Sequence, residues 1–267
     1  MRRRRVVAFI SFGIIGLATF AFARDARAAD ESMLFQKHER TFESPQHFAF
    51  ELRLGPYKPN IDGDPKLGGK APWNEVFADP YQSVFGTSQR ALVAAELDYQ
   101  FIHFPHIGSL GAGLSAGYTS MSAPARRADD HTKYLAGETT SLDVYPFYLV
   151  AVFRFDALNK DFGVPLVPYA KAGMGMALWR ASTDIGTSSA AGVQGEGHTF
   201  GYHLAAGVGL DLNAFDRSAA HSFDESMGVN HTYVYVEWMD MALNGIGQTN
   251  ALRVGSSTWV AGLALEF

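Results

Sequence analysis

The chain has 267 residues, with 22 Lys and Arg against 27 Asp and Glu, 20 Phe, 11 Tyr, 27 Gly and no cysteine. A formal charge of −5 argues against a nucleic-acid partner, because an acidic surface repels phosphate. The missing cysteines exclude disulfides, thiolate metal sites and a lipid-modified N-terminal cysteine.

The N-terminal end sets the compartment. Arg2 to Arg5 precede an apolar run from Val6 to Ala23, and Ala26-Arg27-Ala28 forms an A-x-A-like cleavage site. This is the arrangement of a secretory signal peptide, expected over residues 1–28. A membrane anchor is the competing reading, since the run is near the shortest that spans a bilayer. Removing the segment takes Arg2, Arg3, Arg4, Arg5, Arg24, Arg27 and Asp25, leaving 16 basic against 26 acidic residues, a formal charge of −10. Residues 29–45 read as a polar periplasmic lead, and 46–267 as one domain with no second apolar stretch long enough for a transmembrane helix.

From there on the recurring period is two, the mark of strands with unlike faces. "HFAFELRLG" puts Phe48, Phe50, Leu52 and Leu54 on one face. The second strand, near 90–102, shows Val93, Ala95, Leu97, Tyr99 and Phe101, and the third, near 109–120, Leu110, Ala112, Leu114, Ala116 and Tyr118. The fourth, near 140–155, contains Pro146, which predicts a bulge or a change of phase. The fifth, near 167–179, carries Ala172, Met174, Met176 and Leu178, and the sixth, 199–213, runs from Phe200 through Leu204 and Val208 to Leu212. The seventh, near 231–239, shows Thr232, Val234, Val236 and Trp238. The eighth is "TWVAGLALEF", with Trp259, Ala261, Leu263, Leu265 and Phe267 in one register.

Segments near 57–87, 121–139, 180–198 and 240–256 read as long extracellular loops, with Trp73, Tyr81 and Phe85 apolar enough to pack over a barrel mouth. Turns near 103–108 and 156–166 read as periplasmic. So does the unusually long 214–229, where the residues after Ser218 predict a short helix.

The second face of the strands is small or charged. Such a face suits the narrow interior of an eight-stranded barrel whose apolar face meets lipid, and closure pairs every backbone group, as a bilayer demands. The expected fold is therefore all-β, an eight-stranded antiparallel up-and-down transmembrane β-barrel; a soluble lipocalin-like barrel is the alternative. On the inward face fall Glu51, Arg53, Glu96, Asp98, Asp143, Arg154, Lys171, Asp211, Glu237 and Glu266. Buried charges must pair, so Arg53 and Lys171 are expected to meet Glu51, Glu96 or Glu237, while surplus acids are expected to be wet or near the rims, as the placing of Glu266 and Asp211 at the periplasmic ends allows.

The chain resembles the small eight-stranded outer-membrane β-barrels of Gram-negative bacteria. In that group a last strand of alternating apolar residues ending in Phe is the signal read by the insertion machinery, and the resemblance implies this role for Trp259, Leu263, Leu265 and Phe267. "FELRLGPYKPNID" and "GVNHTYVYVEW" further resemble an uncharacterised family of such barrels from myxobacteria, which implies no activity. The partners implied are outer-membrane lipid and the insertion machinery, with no nucleic acid.

Catalytic and metal signals are thin, so no enzyme activity, metal or cofactor is expected. "NIDGDP" holds part of a Ca²⁺ loop, but Asp-Gly is foremost a turn signal. His103 and His106 are too few for zinc, which takes three or four ligands, and His198 and His203 fall on opposite faces. No G-x-S-x-G is present. The His-Ser motif of a lipid A deacylase is not visible, and a palmitoyltransferase would leave no local mark. The interior acids instead raise two non-enzymatic readings, a plugged barrel with a structural or surface-interaction role or a narrow cation-leaning pore, and a lipid-modifying outer-membrane enzyme is the third alternative.

Overall fold

The computed structural model describes residues 47–77, 89–126, 134–190, 192–248 and 251–267. The expected signal peptide, the 29–45 lead, Tyr81 and Phe85 lie outside the described residues. Eight long strands run in chain order: β1 Phe48–Tyr57, β2 Arg90–Phe104, β3 Gly108–Arg126, β4 Tyr134–Arg154, β5 Leu166–Thr183, β6 Glu196–Asp211, β7 His231–Ala242 and β8 Ser256–Glu266. Each pairs antiparallel with its sequence neighbours, and β1 pairs with β8, so the sheet closes into an up-and-down barrel.

The stagger can be read from the pairing. The partners of Ala49 followed once around the wall, through Asp98, Gly113, Val150, Gly173, His203 and Met241, end at Ser256. Ala49 itself pairs with Glu266, so the offset from 256 to 266 is a shear of ten residues. Such a shear tilts the strands by about 35–45° and leaves an interior that side chains alone can fill.

At one end, the turn end, lie the 105–107 turn, the 155–165 connection and the 212–230 connection. At the other, the loop end, the first loop carries helix α1 (Pro72–Phe77). The turn-end connections carry α2 (Ala157–Lys160) and α3 (Arg217–Met227), the latter where a short helix is expected.

Four expectations need correcting. Residues 121–139 and 180–198 are mostly strand, because β3 to β6 rise well past the others at the loop end. The expected bulge at Pro146 is absent. Pro146 is buried and keeps regular register with Ala177 of β5; on the β3 side its own pairing and that of Tyr145 drop out, and the register resumes unchanged at Thr119↔Val144. Proline lacks the N–H that this pairing would use. Because β4 keeps its phase, Asp143 faces outward beside Tyr145 rather than inward, where Tyr118 donates to it at 3.3 Å. Finally, Leu212 and Asn213 leave β6 for a 3₁₀ turn that Asp211 caps through the Asn213 amide, at 2.9 Å.

Candidate functional site

The interior has two halves, and the strand register builds both. In the turn-end half, β1 offers Glu51 and Arg53, two residues apart and so on one face. Pairing sets Glu96 beside Glu51, and Asp98 beside Ala49. Glu237 arrives from β7, Lys171 from β5, Arg154 from β4 and Glu266 from β8, all buried. Arg53 reaches Glu96 at 2.6 Å, Glu237 at 2.9 Å and Glu51 at 3.2 Å. Lys171 Nζ lies 2.6 Å from Glu51 and 2.5 Å from Glu96. Arg154 joins Glu51 at 2.6 Å, Asp98 at 3.0 Å and Glu266 at 2.8 Å.

The structure thus brings Glu51, Arg53, Glu96, Asp98, Lys171 and Glu237 into one network, with Arg154 and Glu266 as two further members. Isolated, each charge would carry a desolvation penalty of several kcal/mol; here each lies against an opposite charge. Five carboxylates face three cations; Glu266 also accepts from two neutral donors, Gln100 Nε2 and the Tyr233 hydroxyl, each at 3.0 Å. Asp211 stands apart, bound by Asn159 at 2.6 Å and His231 at 3.0 Å. Glu266 and Asp211 lie at the turn end, where they are expected, and both are buried and bound. Among the described residues Glu51, Glu96 and Asp98 form the one trio of acids close enough to share a metal ion. The Lys171 ammonium already bridges two of them, where a cation would sit.

Tyrosines fill the rest of this layer by lying across glycines. Tyr148, Tyr169 and Tyr235 pair directly with Gly175, Gly207 and Gly262. A Cβ at Gly175 would fall 2.2 Å from Tyr148 Cδ1, and one at Gly207 or Gly262 would fall 2.6 Å from the facing tyrosine ring. Sequence reasoning missed these tyrosines, although an inward tyrosine directly opposite a glycine is a readable pattern once register is known. What remains beside Glu51 and Tyr235 is a cavity of about 10 Å³, roughly the room of one water. At the turn-end mouth a cavity of about 260 Å³, lined by Arg154, Glu266, Asn159 and His231 among others, leads to the network's edge.

The loop-end half is apolar. Leu92, Met121, Leu142, Val144, Met239 and Met241 are buried there with Trp73 and Phe77 of α1, so Trp73 packs into the mouth as expected. The first and last loops hold each other over this core: Tyr57 donates to Val254 O at 2.5 Å, and the Asn60 amide to Gly255 O at 2.8 Å. The aspartates of "NIDGDP" serve as caps. Asp62 accepts from the amides of Trp73 at 2.7 Å and Asn74 at 3.1 Å, and Asp64 from Lys66 at 3.0 Å. His203, its ring 4.6 Å from that of Tyr148, is buried within the barrel. His198 is exposed on the opposite face. His103 and His106 are exposed at the β2–β3 turn, His106 against Asp161 at 3.1 Å.

The outer wall is the reverse of the turn-end interior. Leu114, Leu149 and Met174, adjacent across β3, β4 and β5, are 65%, 65% and 72% exposed. Aromatics bound this belt on both sides, with Tyr118, Tyr145, Trp238 and Trp259 toward the loop end and Phe48, Tyr99 and Phe267 toward the turn end. From Trp259 to Phe267 along a tilted strand is about 20 Å. Of the expected terminal-strand residues, Trp259, Leu263 and Phe267 are exposed on the outer face and Leu265 is half-buried there. Phe267 and Phe48 exchange backbone hydrogen bonds at 2.9 Å, with rings 6.1 Å apart, at the seam where the barrel closes.

No family model and no curated protein matches the chain. Solved structures with a similar fold are small outer-membrane barrels. Neisserial surface protein A is 14% identical, covering 82% of this chain and 97% of its own, with a TM-score of 0.40. The N-terminal β-barrel domain of Pseudomonas aeruginosa OprF is 12% identical, covering 84% and 100%, with a TM-score of 0.38. Ail, the attachment invasion locus protein of Yersinia pestis, solved in complex with the heparin analogue sucrose octasulfate, is 11% identical, covering 83% and 97%, with a TM-score of 0.37.

Proposed function

We propose that this chain is an integral outer-membrane β-barrel with a structural or surface-interaction role and a largely plugged interior. One observation carries the membrane reading: the barrel is inverted relative to a soluble one, with Leu114, Leu149 and Met174 outside and Glu51, Arg53, Glu96 and Lys171 buried inside. Only an apolar surround makes that arrangement favourable. The plug is supported by the cavity of about 10 Å³ in the charged half and by the Trp73 roof over the other half. In this reading residues 1–28 direct export, the insertion machinery reads Trp259, Leu263, Leu265 and Phe267, and lipid is the constant partner. The likeness to a myxobacterial barrel family adds no activity to it.

One observation favours a second reading, a narrow cation-leaning pore: the network holds five carboxylates against three cations. Acid-rich constrictions favour cations.

A single-cysteine scan along β6 in the cysteine-free chain tests the membrane reading. Labels at positions 204, 206 and 208 should be reached by lipid-phase quenchers, and labels at 203, 205 and 207 should not. Water-soluble quenchers reaching the even set would replace it with a soluble barrel. For the terminal strand, Phe267→Asp should lower the amount of heat-modifiable protein in outer-membrane fractions, and unchanged amounts would remove the assigned role.

A further inference from the structure

The β6–β7 connection is far longer than the step between two adjacent strands requires. Its base is pinned: Asn213 Nδ2 donates to Asn230 O at 2.5 Å, the Thr232 amide to Asn213 Oδ1 at 3.3 Å, and the Asn230 amide to Glu266 O at 2.7 Å. Between these anchors stands α3, begun by Asp216, whose carboxylate accepts from the Ser218 amide at 3.1 Å. Ala220, Phe223 and Met227 follow at spacings of three and four and form one stripe. His221, Ser222, Asp224, Glu225 and Ser226 occupy the rest of the surface, with His221 and Glu225 paired at 3.6 Å.

The stripe is not used to pack the barrel. Phe223 is 45% and Met227 69% exposed, and Phe215, just before the helix, is 70% exposed. The other turns repeat the feature: Phe162 on the β4–β5 connection is 74% exposed and Ile107 on the β2–β3 turn 48%. These three turns are separated by pairs of strands, so their apolar tips face different directions around the barrel. A protein docked on one side would meet one tip. A lipid leaflet surrounding the barrel meets all of them, and the apolar outer faces of β6 and β7, with Val208 and Val234, lead to α3 from the belt.

We propose that α3 is an interfacial helix, lying in the lipid–water boundary of the turn-side leaflet with Phe215, Phe223 and Met227 toward the acyl chains. Ile107 and Phe162 are further anchors at the same boundary. Amphipathic helices with a polar outer face take this position. Glu225, exposed opposite the stripe, suits a zwitterionic headgroup layer rather than an anionic one. The inference rests on the membrane reading above.

The test uses three single-cysteine variants carrying an environment-sensitive fluorophore: Leu114→Cys on the belt, Phe223→Cys on the stripe and Glu225→Cys on the polar side. Each is folded into phosphatidylcholine vesicles bearing doxyl quenchers at shallow or deep acyl positions. The label at 114 should be quenched best by deep probes, the label at 223 by shallow probes, and the label at 225 severalfold less than that at 223 but readily by iodide. Quenching at 114 with 223 no better quenched than 225 would overturn the interfacial helix and leave the membrane barrel standing. Absence of lipid quenching at 114 would overturn both.

Discussion

The two halves of the lumen solve the same packing problem with opposite chemistry. Toward the turn end, charges from β1, β2, β4, β5, β7 and β8 pair with one another over tyrosines laid on glycines. Toward the loop end, methionines, valines and leucines pack beneath Trp73. The difference follows the surroundings of the wall. Where the outer face is apolar, polar residues are turned inward. Past Tyr118 and Tyr145 the outer face becomes polar, with Ser120, Ser122, Ser141 and Asp143, and the inner face becomes an ordinary apolar core. A polar core also specifies register, since slipping one strand would move a charge to the wrong face.

The largest expected effect comes from unbalancing the charged half. Arg53→Met leaves Glu96 and Glu237 short of a cation and should destabilise the barrel by about 3–5 kcal/mol, read from urea unfolding in lipid vesicles. Adding Glu96→Gln and Glu237→Gln should recover part of the loss. A cost near zero for the single change would mean that this half is hydrated rather than packed. Trp73→Ala should cost about 3 kcal/mol, at the low end for a buried tryptophan because the roof can open locally. It should raise protease cleavage between residues 58 and 89 without exposing the turn end; equal exposure at both ends would join the halves into one unit.

On the outside, Leu114→Arg should cost about 2–4 kcal/mol, and Leu210→Arg, closer to the turn-end rim, about 0–1 kcal/mol. Equal costs would move the belt. A local effect is expected above the belt. There the Gln248 side chain accepts from the Phe200 amide at 3.0 Å and donates to His198 O at 3.2 Å, standing in for a neighbouring strand at the edge of β6. Gln248→Ala should cost about 0.5–1.5 kcal/mol and speed hydrogen exchange at Phe200. No change in that exchange would remove the edge-capping role.

The pattern of the halves also explains what could be read in advance. Leu52, Leu97, Leu114 and Leu204 lie on outer faces as their alternation predicts, because one face of each strand is uniformly apolar across the belt. Residues 121–126 and 134–139 were not recognisable as strand: the alternation reverses at the girdle, so Met121 and Ala123 point inward in the phase that polar residues occupy lower down. Asp143 reads as a lumen residue for the same reason, since below the girdle a polar residue on a strand faces inward. The network partners Glu51, Arg53, Glu96 and Lys171 could be assigned to one face, but which carboxylate meets which cation depends on the ten-residue shear, and a sequence does not state a shear. Tyr169 and Tyr235 became visible as lumen residues only through their glycine partners.

The claim that ties both halves together is that neither leaves a continuous path for ions. Purified protein reconstituted in planar bilayers tests this most directly, with the Trp73→Ala and Arg53→Met variants beside it. The unaltered protein should give no steady unitary conductance, and Trp73→Ala alone should not open one, because the charged layer beneath it remains packed. Reproducible cation-selective openings from the unaltered protein, weakened by Glu51→Gln, would contradict the plug and establish the pore.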